Sequence, residues 1–273
     1  MELRRVELDF SDAEVRWTPN EPEYAHLFNA VSSYVPYLEG MMNKAVMTLE
    51  KQLPAGAEGL RHDVRNFTWQ EGRHARLHMQ YNYLLQDAYP WLEAEQKKIR
   101  ADFTRFVEQK GPKFTLAYSE GFETHGPYIA RYFFEDSGGR LSDWDQPSVY
   151  LWLWHFAEEY EHRTVCNHLF HELYGSYWYR LYGIMYATIH LFSYVGRVSA
   201  KMARWDRVTG EIPDVWPSRL RRARAVAGLG RVVVPGLLKA LHPRYDPAEF
   251  PAPRRSMELL AEASRKYGVR EPS

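Results

Sequence analysis

Glu71-Gly-Arg-His74 and His155-Phe-Ala-Glu158-Glu159-Tyr-Glu-His162 are the segments of this chain whose residue types and spacing can do chemistry. Each holds a Glu followed three residues later by a His, in a stretch whose pattern predicts an unbroken helix. Three residues is close to one helical turn, so both side chains of each pair project from one face. A Glu-x-x-His pair from each of two helices, completed by one Glu from each of two others, is a donor set with which a helical bundle holds two metal ions. Glu39 and Glu123 are the candidates for the completing carboxylates. Two adjacent ions can polarise a bound group, activate water or, if they are iron, exchange electrons with O2.

The faces on which these residues lie support that reading. Leu151, His155, Glu159, His162, Cys166 and Leu169 fall on one helical stripe roughly 80° wide. Apolar residues close the stripe at both ends, so it faces a core, and its middle is ionisable. Val64, Phe67, Glu71, His74, His78 and Leu85 repeat the pattern, and Leu116, Ser119, Glu123 and Ala130 align, as do Val35, Glu39, Met42 and Val46. Burying such groups without partners costs several kcal/mol each, at about 2–7 kcal/mol for a polar group and more for a lone carboxylate. Any one Glu or His could be a solvated surface group. Four helices that each place a Glu in an apolar stripe call for a cation.

Some assignments stay open. Glu158 lies about 100° around the helix from Glu159 and could exchange roles with it, or hydrogen-bond a ligand His from outside the coordination sphere. Glu120 competes with Glu123; Glu123 is preferred because Pro127, four residues on, cannot donate to its carbonyl, so the helix should loosen beside it. His78 is a partner behind the ligands or a satisfied core residue. His155 precedes Glu159 by one turn and can add a third imidazole to one ion.

Four long helices must position these groups. The first begins near Ser32 or Ser33, carries Pro36 in its first turn and runs to about residue 53, where Pro54-Ala-Gly56 stops it. The second covers 58–88. A charged connecting helix over 91–109 makes a crossover of about twenty residues, the third helix covers 113–134, and 136–139 is a loop. The fourth follows Asp145-Gln-Pro147 and continues to about residue 174. Residues 1–30 read as an irregular arm, 176–208 as one or two further helices, and Val232-Val-Val-Pro-Gly-Leu-Leu238 as a short apolar piece of the Pro- and Arg-rich tail that packs on the bundle. No strand pattern is evident. The fold expected is all-α, one domain over 1–273, with the bundle at about 32–175 and a helical extension at about 176–273.

Composition narrows the partners. Thirty-five basic and 35 acidic residues in a chain of 273 balance, which argues against a nucleic-acid groove or a polybasic membrane patch. A single cysteine, Cys166, allows no intrachain disulfide and fits a reducing cytoplasm. The N-terminus lacks the apolar core of a signal peptide, and the most apolar stretch, 181–196, is short for a membrane span. Cytoplasmic location, no transmembrane span, no nucleic acid and a chain able to form a homodimer are the expectations. The 19 Tyr and 9 Trp are read first as core packing.

The blocks Phe67-Thr-Trp-Gln-Glu71-Gly-Arg-His74-Ala-Arg-Leu-His78 and Trp154-His155-Phe-Ala-Glu158-Glu159-Tyr-Glu-His162 resemble those of a bacterial family of predicted metal-dependent hydrolases placed among the ferritin-like proteins. Leu38-Glu39-Gly, Glu123 and the tail from Pro235 to Pro247 extend the resemblance over nearly the whole chain. It implies a ferritin-like four-helix bundle with a long crossover and additional C-terminal helices. The His-x-x-x-Glu-x-x-His helix is also similar to that of the p-aminobenzoate N-oxygenase family, which holds a di-iron centre with an added histidine. Carried over, these resemblances make Glu39, Glu71, His74, Glu123, His155, Glu159 and His162 metal ligands; the reading of the residues themselves adds His78, Glu158 and Glu120 as candidates for places behind them.

Four carboxylates with two or three imidazoles form a hard, oxygen-rich set that suits two iron ions, admits manganese, and suits zinc less. The first functional expectation is an O2-activating di-iron oxidase or oxygenase acting on a small molecule with an electron donor. A two-metal hydrolase is the alternative, and a non-catalytic iron-binding protein the third reading.

Overall fold

A computed structural model describes residues 1–136 and 146–270. Eleven α-helices account for most of these residues, and the strand pairing among them is a two-residue antiparallel ladder, β1 (Leu3–Arg4) with β2 (Val269–Arg270). The architecture is an all-α bundle.

α2 (Val35–Glu50) and α3 (Glu58–Ala88) form an antiparallel hairpin. Pro36 sits in the first turn of α2, where its missing N–H costs nothing. Gly56 closes the turn between the two with φ of 95°, which an L-residue with a Cβ adopts only under strain. α4 (Leu92–Arg105) and a π-helical turn (Phe106–Lys110) make the crossover to α5 (Gly111–Glu123). α7 (Pro147–His162) starts with Pro147 at its first turn, capped by Gln146, whose Oε1 accepts from the amides of Ser148 (2.6 Å) and Val149 (3.3 Å).

Two expected helices are broken at chemically important places. The third does not run unbroken to residue 134: α5 stops at Glu123, and α6 (Gly126–Arg131) resumes with Pro127 in its first turn before a π-helical turn at Tyr132–Asp136. Proline at 127 removes the donor that would have continued the ladder to Glu123. The fourth stops at His162 and restarts as α8 (Val165–Leu173). Glu123 and His162 are thus each the last residue of a helix. The loop expected at 136–139 lies outside the described residues apart from Asp136.

Residues 22–32 are helical, contrary to the irregular arm expected there: α1 (Pro22–Ser32) is buried almost throughout. Its periodicity is hidden because polar residues are buried beside apolar ones and satisfied inside. Asn29 Oδ1 accepts from Trp17 Nε1 and Tyr81 Oη, and His26 Nε2 lies 2.8 Å from Asp206. α9 (Tyr177–Thr209) is one 33-residue helix packed on α1 and α5. At the α5–α9 crossing Gly121 meets Gly183, and a Cβ on Gly121 would stand 2.7 Å from Ile184 Cα, so glycine sets the approach of the two backbones. The tail is more ordered than the short apolar piece expected: α10 (Val215–Ala240) spans it with Pro235 inside, and α11 (Arg254–Tyr267) packs against α7. No helix among the described residues is long and apolar enough to cross a membrane.

Candidate metal centre

The residues singled out from the two Glu-x-x-His segments meet between α2, α3, α5 and α7, all buried. Glu71, His74, Glu159 and His162 each offer one donor atom within 4.8 Å of the others; Glu39, His74 and His155 form a second such group. His74 belongs to both. Glu123 joins neither group directly, but its Oε2 lies 3.2 Å from His162 Nδ1. His155 Nε2 lies 3.1 Å from Glu159 Oε1, and the His74 and His155 rings stack with centroids 4.2 Å apart. Local helix geometry alone explains the pairs at i, i+3 and i, i+4; the meeting of α3 with α7 is a matter of tertiary packing.

Several donor atoms in this cluster have no hydrogen-bond partner. Both oxygens of Glu39, Glu71 Oε1, Glu123 Oε1, Glu159 Oε2, His74 Nδ1 and His162 Nε2 are buried and unsatisfied. His162 Nε2 and Glu71 Oε1 lie 3.0 Å apart but are not aligned to bond. Buried polar atoms are seldom left so, and orphaned atoms gathered in one place are what a bound cation would satisfy.

Protonation points to the same cation. Burial, then the neighbouring Glu71, Glu159 and Glu123, push the Glu39 carboxyl well above its ordinary range. Burial and Glu159 raise Glu123 to about 8. Burial would lower His162 and His74, yet the surrounding carboxylates hold both above the ordinary imidazole value, His74 at about 9. Burial would raise Glu71, but the His162 and His74 imidazoles hold it low. Without metal, the cluster gathers protons where a cation would sit. The donor set fits two ions, with carboxylates able to bridge.

The neighbouring groups orient these donors. Glu158 Oε2 lies 3.1 Å from His74 Nε2, and Glu158 Oε1 accepts from Arg4 Nη1 at 3.3 Å. Glu158 and Glu159 therefore have separate roles: Glu158 backs His74, and Glu159 faces His155 and His162. His78 Nε2 lies 3.0 Å from His155 Nδ1, with Ser32 Oγ 2.8 Å from its other nitrogen. Burial and the His155 and His74 rings hold His78 well below its ordinary value, so it is neutral. Glu120 points elsewhere, pairing with Arg180 Nη1 at 3.2 Å and Asn167 Nδ2 at 3.0 Å. Cys166 is buried nearby, its thiol pushed well above its ordinary value by burial and then by the neighbouring carboxylates.

Beside the cluster lies a cavity of about 370 Å³ whose walls include Phe28, Trp152, Phe156, Leu191, Phe192 and Val233. His155 and Glu159 reach it, and among the described residues none that lines it is Lys or Arg. Gly126 makes room at this junction: a Cβ there would stand 2.5 Å from Glu159 Oε2. On the facing side His125 Nε2 lies 3.2 Å from Thr188 Oγ1. Sequence reasoning did not find Arg4, Ser32, Gly126, His125 or the cavity. The Gly126-Pro127 break carried a local signal; the contact between Arg4 and Glu158, 154 residues apart, carried none.

A family model described as "Predicted metal-dependent hydrolase" matches residues 2–250, and the chain belongs to that family. No curated protein and no solved structure matches it.

Proposed function

We propose that this chain is a dinuclear metal-dependent hydrolase acting on an uncharged, largely apolar small molecule. The reading is carried by one observation: unsatisfied carboxylate and imidazole donors converge beside an apolar cavity that His155 and Glu159 reach. Family membership supports hydrolysis as the reaction, in preference to the oxygenase expectation.

Glu39, Glu71, His74, Glu123, His155, Glu159 and His162 would hold two ions, which when bound supply Lewis acidity and an activated water at neutral pH. The cavity walls bind the substrate's apolar body and exclude bulk water. Glu159 is the ligand nearest the substrate, because its partnerless Oε2 abuts Gly126 at the cavity wall. His78 and Ser32 hold His155 in orientation, and Glu158 with Arg4 does the same for His74. That no Lys or Arg lines the cavity among the described residues disfavours a phosphate substrate and favours a carboxylic ester or amide.

A second reading, di-iron oxidation of the same kind of molecule with O2, has its own observation. The four carboxylates form a hard donor set suited to iron or manganese, and the cavity offers few donors to stabilise an oxyanion. Turnover of p-nitrophenyl esters of increasing chain length separates the two. Chelated protein reloaded with iron, manganese or zinc should release p-nitrophenol at equal rates in air and under nitrogen. Product formation that requires O2 and consumes it would replace hydrolysis by oxidation.

A further inference from the structure

α10 covers the cavity with one face and turns a second apolar face outward. Inward, Ala225, Val233, Gly236 and Ala240 are buried. Outward, Trp216 is 75% exposed, Val234 54% and Leu238 65%, and Leu220 is exposed with them. At 3.6 residues per turn these four share one stripe, so the outer surface of the helix carries an apolar band beside its exposed arginines. α9 carries a matching stripe, Trp178, Tyr182, Met185 and Ile189, all exposed. A turn or two on, that stripe reaches Gly196.

The α10 stripe reaches the cavity at Val234, and the line of the α9 stripe reaches it at Gly196. Val226, Gly230 and Val234 of α10 line the cavity, and Val226 and Val234 are also exposed at the surface. Gly196 of α9 lines it from the other side, where its carbonyl accepts from Arg222 Nη2 at 2.9 Å. A Cβ on Gly196 or Gly230 would meet nothing within 4 Å, so the opening is bordered by residues that leave it clear.

Charge says what covers this face. α10 carries Arg219, Arg221, Arg222, Arg224, Arg231 and Lys239 and no acidic residue. Arg221 is paired with Glu23 and Asp214, but Arg219, which lies over the Trp216 ring, Arg224 and Arg231 are exposed and have no carboxylate partner among the described residues. Balance over the whole chain conceals this local excess. A two-fold contact with a second copy would bring the same arginines towards one another. Apolar and indole side chains flanked by arginines without carboxylate partners match the boundary of an anionic bilayer.

We propose that the α9–α10 face docks on an anionic phospholipid surface and that the cavity mouth opens onto it, so that substrate enters from the hydrocarbon. The docking surface stands apart from the metal reading; the substrate route rests on it and makes the substrate a molecule that partitions into membranes.

Co-sedimentation of the purified, metal-loaded full chain with vesicles tests this. Vesicles of phosphatidylcholine mixed with phosphatidylglycerol should pull the protein down at low salt, and vesicles of phosphatidylcholine alone should pull down far less. High salt should weaken the binding. Arg224→Gln and Arg231→Gln should each lower partitioning about fivefold, and Trp216→Ser with Leu220→Ser should lower it further, with metal content and melting temperature unchanged. If the serine variants melt early, the exposed arginine variants carry the test. No binding to the anionic vesicles, or binding that none of these variants weakens, would overturn the proposal. So would a dimer in sedimentation velocity that the arginine or serine variants abolish, since a second copy would then be the occupant. Vesicle failure with two metals still bound leaves the metal centre standing.

Discussion

His78 Nε2 lies 3.0 Å from His155 Nδ1, which leaves His155 Nε2 turned towards Glu159 Oε1 at 3.1 Å. One imidazole therefore aims another at the cluster, and Ser32 fixes the first in turn. Removing the inner histidine removes a donor, whereas removing the outer one releases only an orientation. His78→Ala is expected to keep both metals and to lose about tenfold in activity, read by elemental analysis beside turnover. Loss of metal from His78→Ala with full retention in His162→Ala would reverse the assignment.

Glu158 and Arg4 are expected to act on His74 in the same way. Glu158→Ala deprives His74 Nε2 of its carboxylate and Arg4 of one of its partners, while Glu161 still holds Arg4. Metal affinity should fall by about 10–100-fold, and stability by roughly 3 kcal/mol, the low end for a broken buried pair. Competition with a chelator measures the first and denaturant unfolding the second. Unchanged affinity would show that Glu158 has no part in holding the centre.

Gly126→Ala should displace Glu159. The added Cβ would lie 2.5 Å from Glu159 Oε2 and 3.4 Å from its Cβ, an overpacking cost of about 1–3 kcal/mol. The expected result is a folded protein with much reduced turnover and weaker metal retention. Wild-type values for both would mean that the carboxylate does not need that space.

Stability of the metal-free chain should fall as pH rises. Glu123 ionises near 4.5 when unfolded but is held at about 8 in the fold by burial and Glu159. His74 loses its proton near 6.5 when unfolded but is held at about 9 in the fold, where Glu158 and Glu71 outweigh burial. Below about 6.5 the buried His78, His155 and His125, held below their ordinary value, work the other way, so the two sets oppose each other there; above it the unfolded chain binds fewer protons and unfolding becomes easier with increasing pH. Glu71, held low, adds stability that is lost only in acid. Melting temperatures of chelated protein should decline from about pH 7 to about pH 9, and metal should remove most of that decline. A flat or rising profile without metal would contradict the proton distribution described.

Residue spacing carried the centre further than it carried the fold. Glu71, His74, Glu159 and His162 were legible because i, i+3 spacing and apolar flanks are local, and α3 was legible to its ends for the same reason. α1 was not, because its polar residues are buried and satisfied by distant partners such as Asp206, which mimics the pattern of an irregular arm. The breaks after Glu123 and His162 differ in the same respect: Pro127 announces one, and nothing in Arg163-Thr164 announces the other. The outward apolar face of α10 was hidden by its inward one, since a helix apolar on both sides reads only as a short hydrophobic run.

Metal stoichiometry tests the central claim most directly. Protein purified from cells supplied with iron and manganese, dialysed and measured by elemental analysis with a quantitative amino-acid assay, should carry two metal ions per chain. Glu71→Ala and His162→Ala should each carry fewer, and chelation should lower the melting temperature by removing the charge that holds the carboxylates together. One ion or none per wild-type chain, with an unchanged melting temperature after chelation, would contradict a dinuclear centre in this cluster.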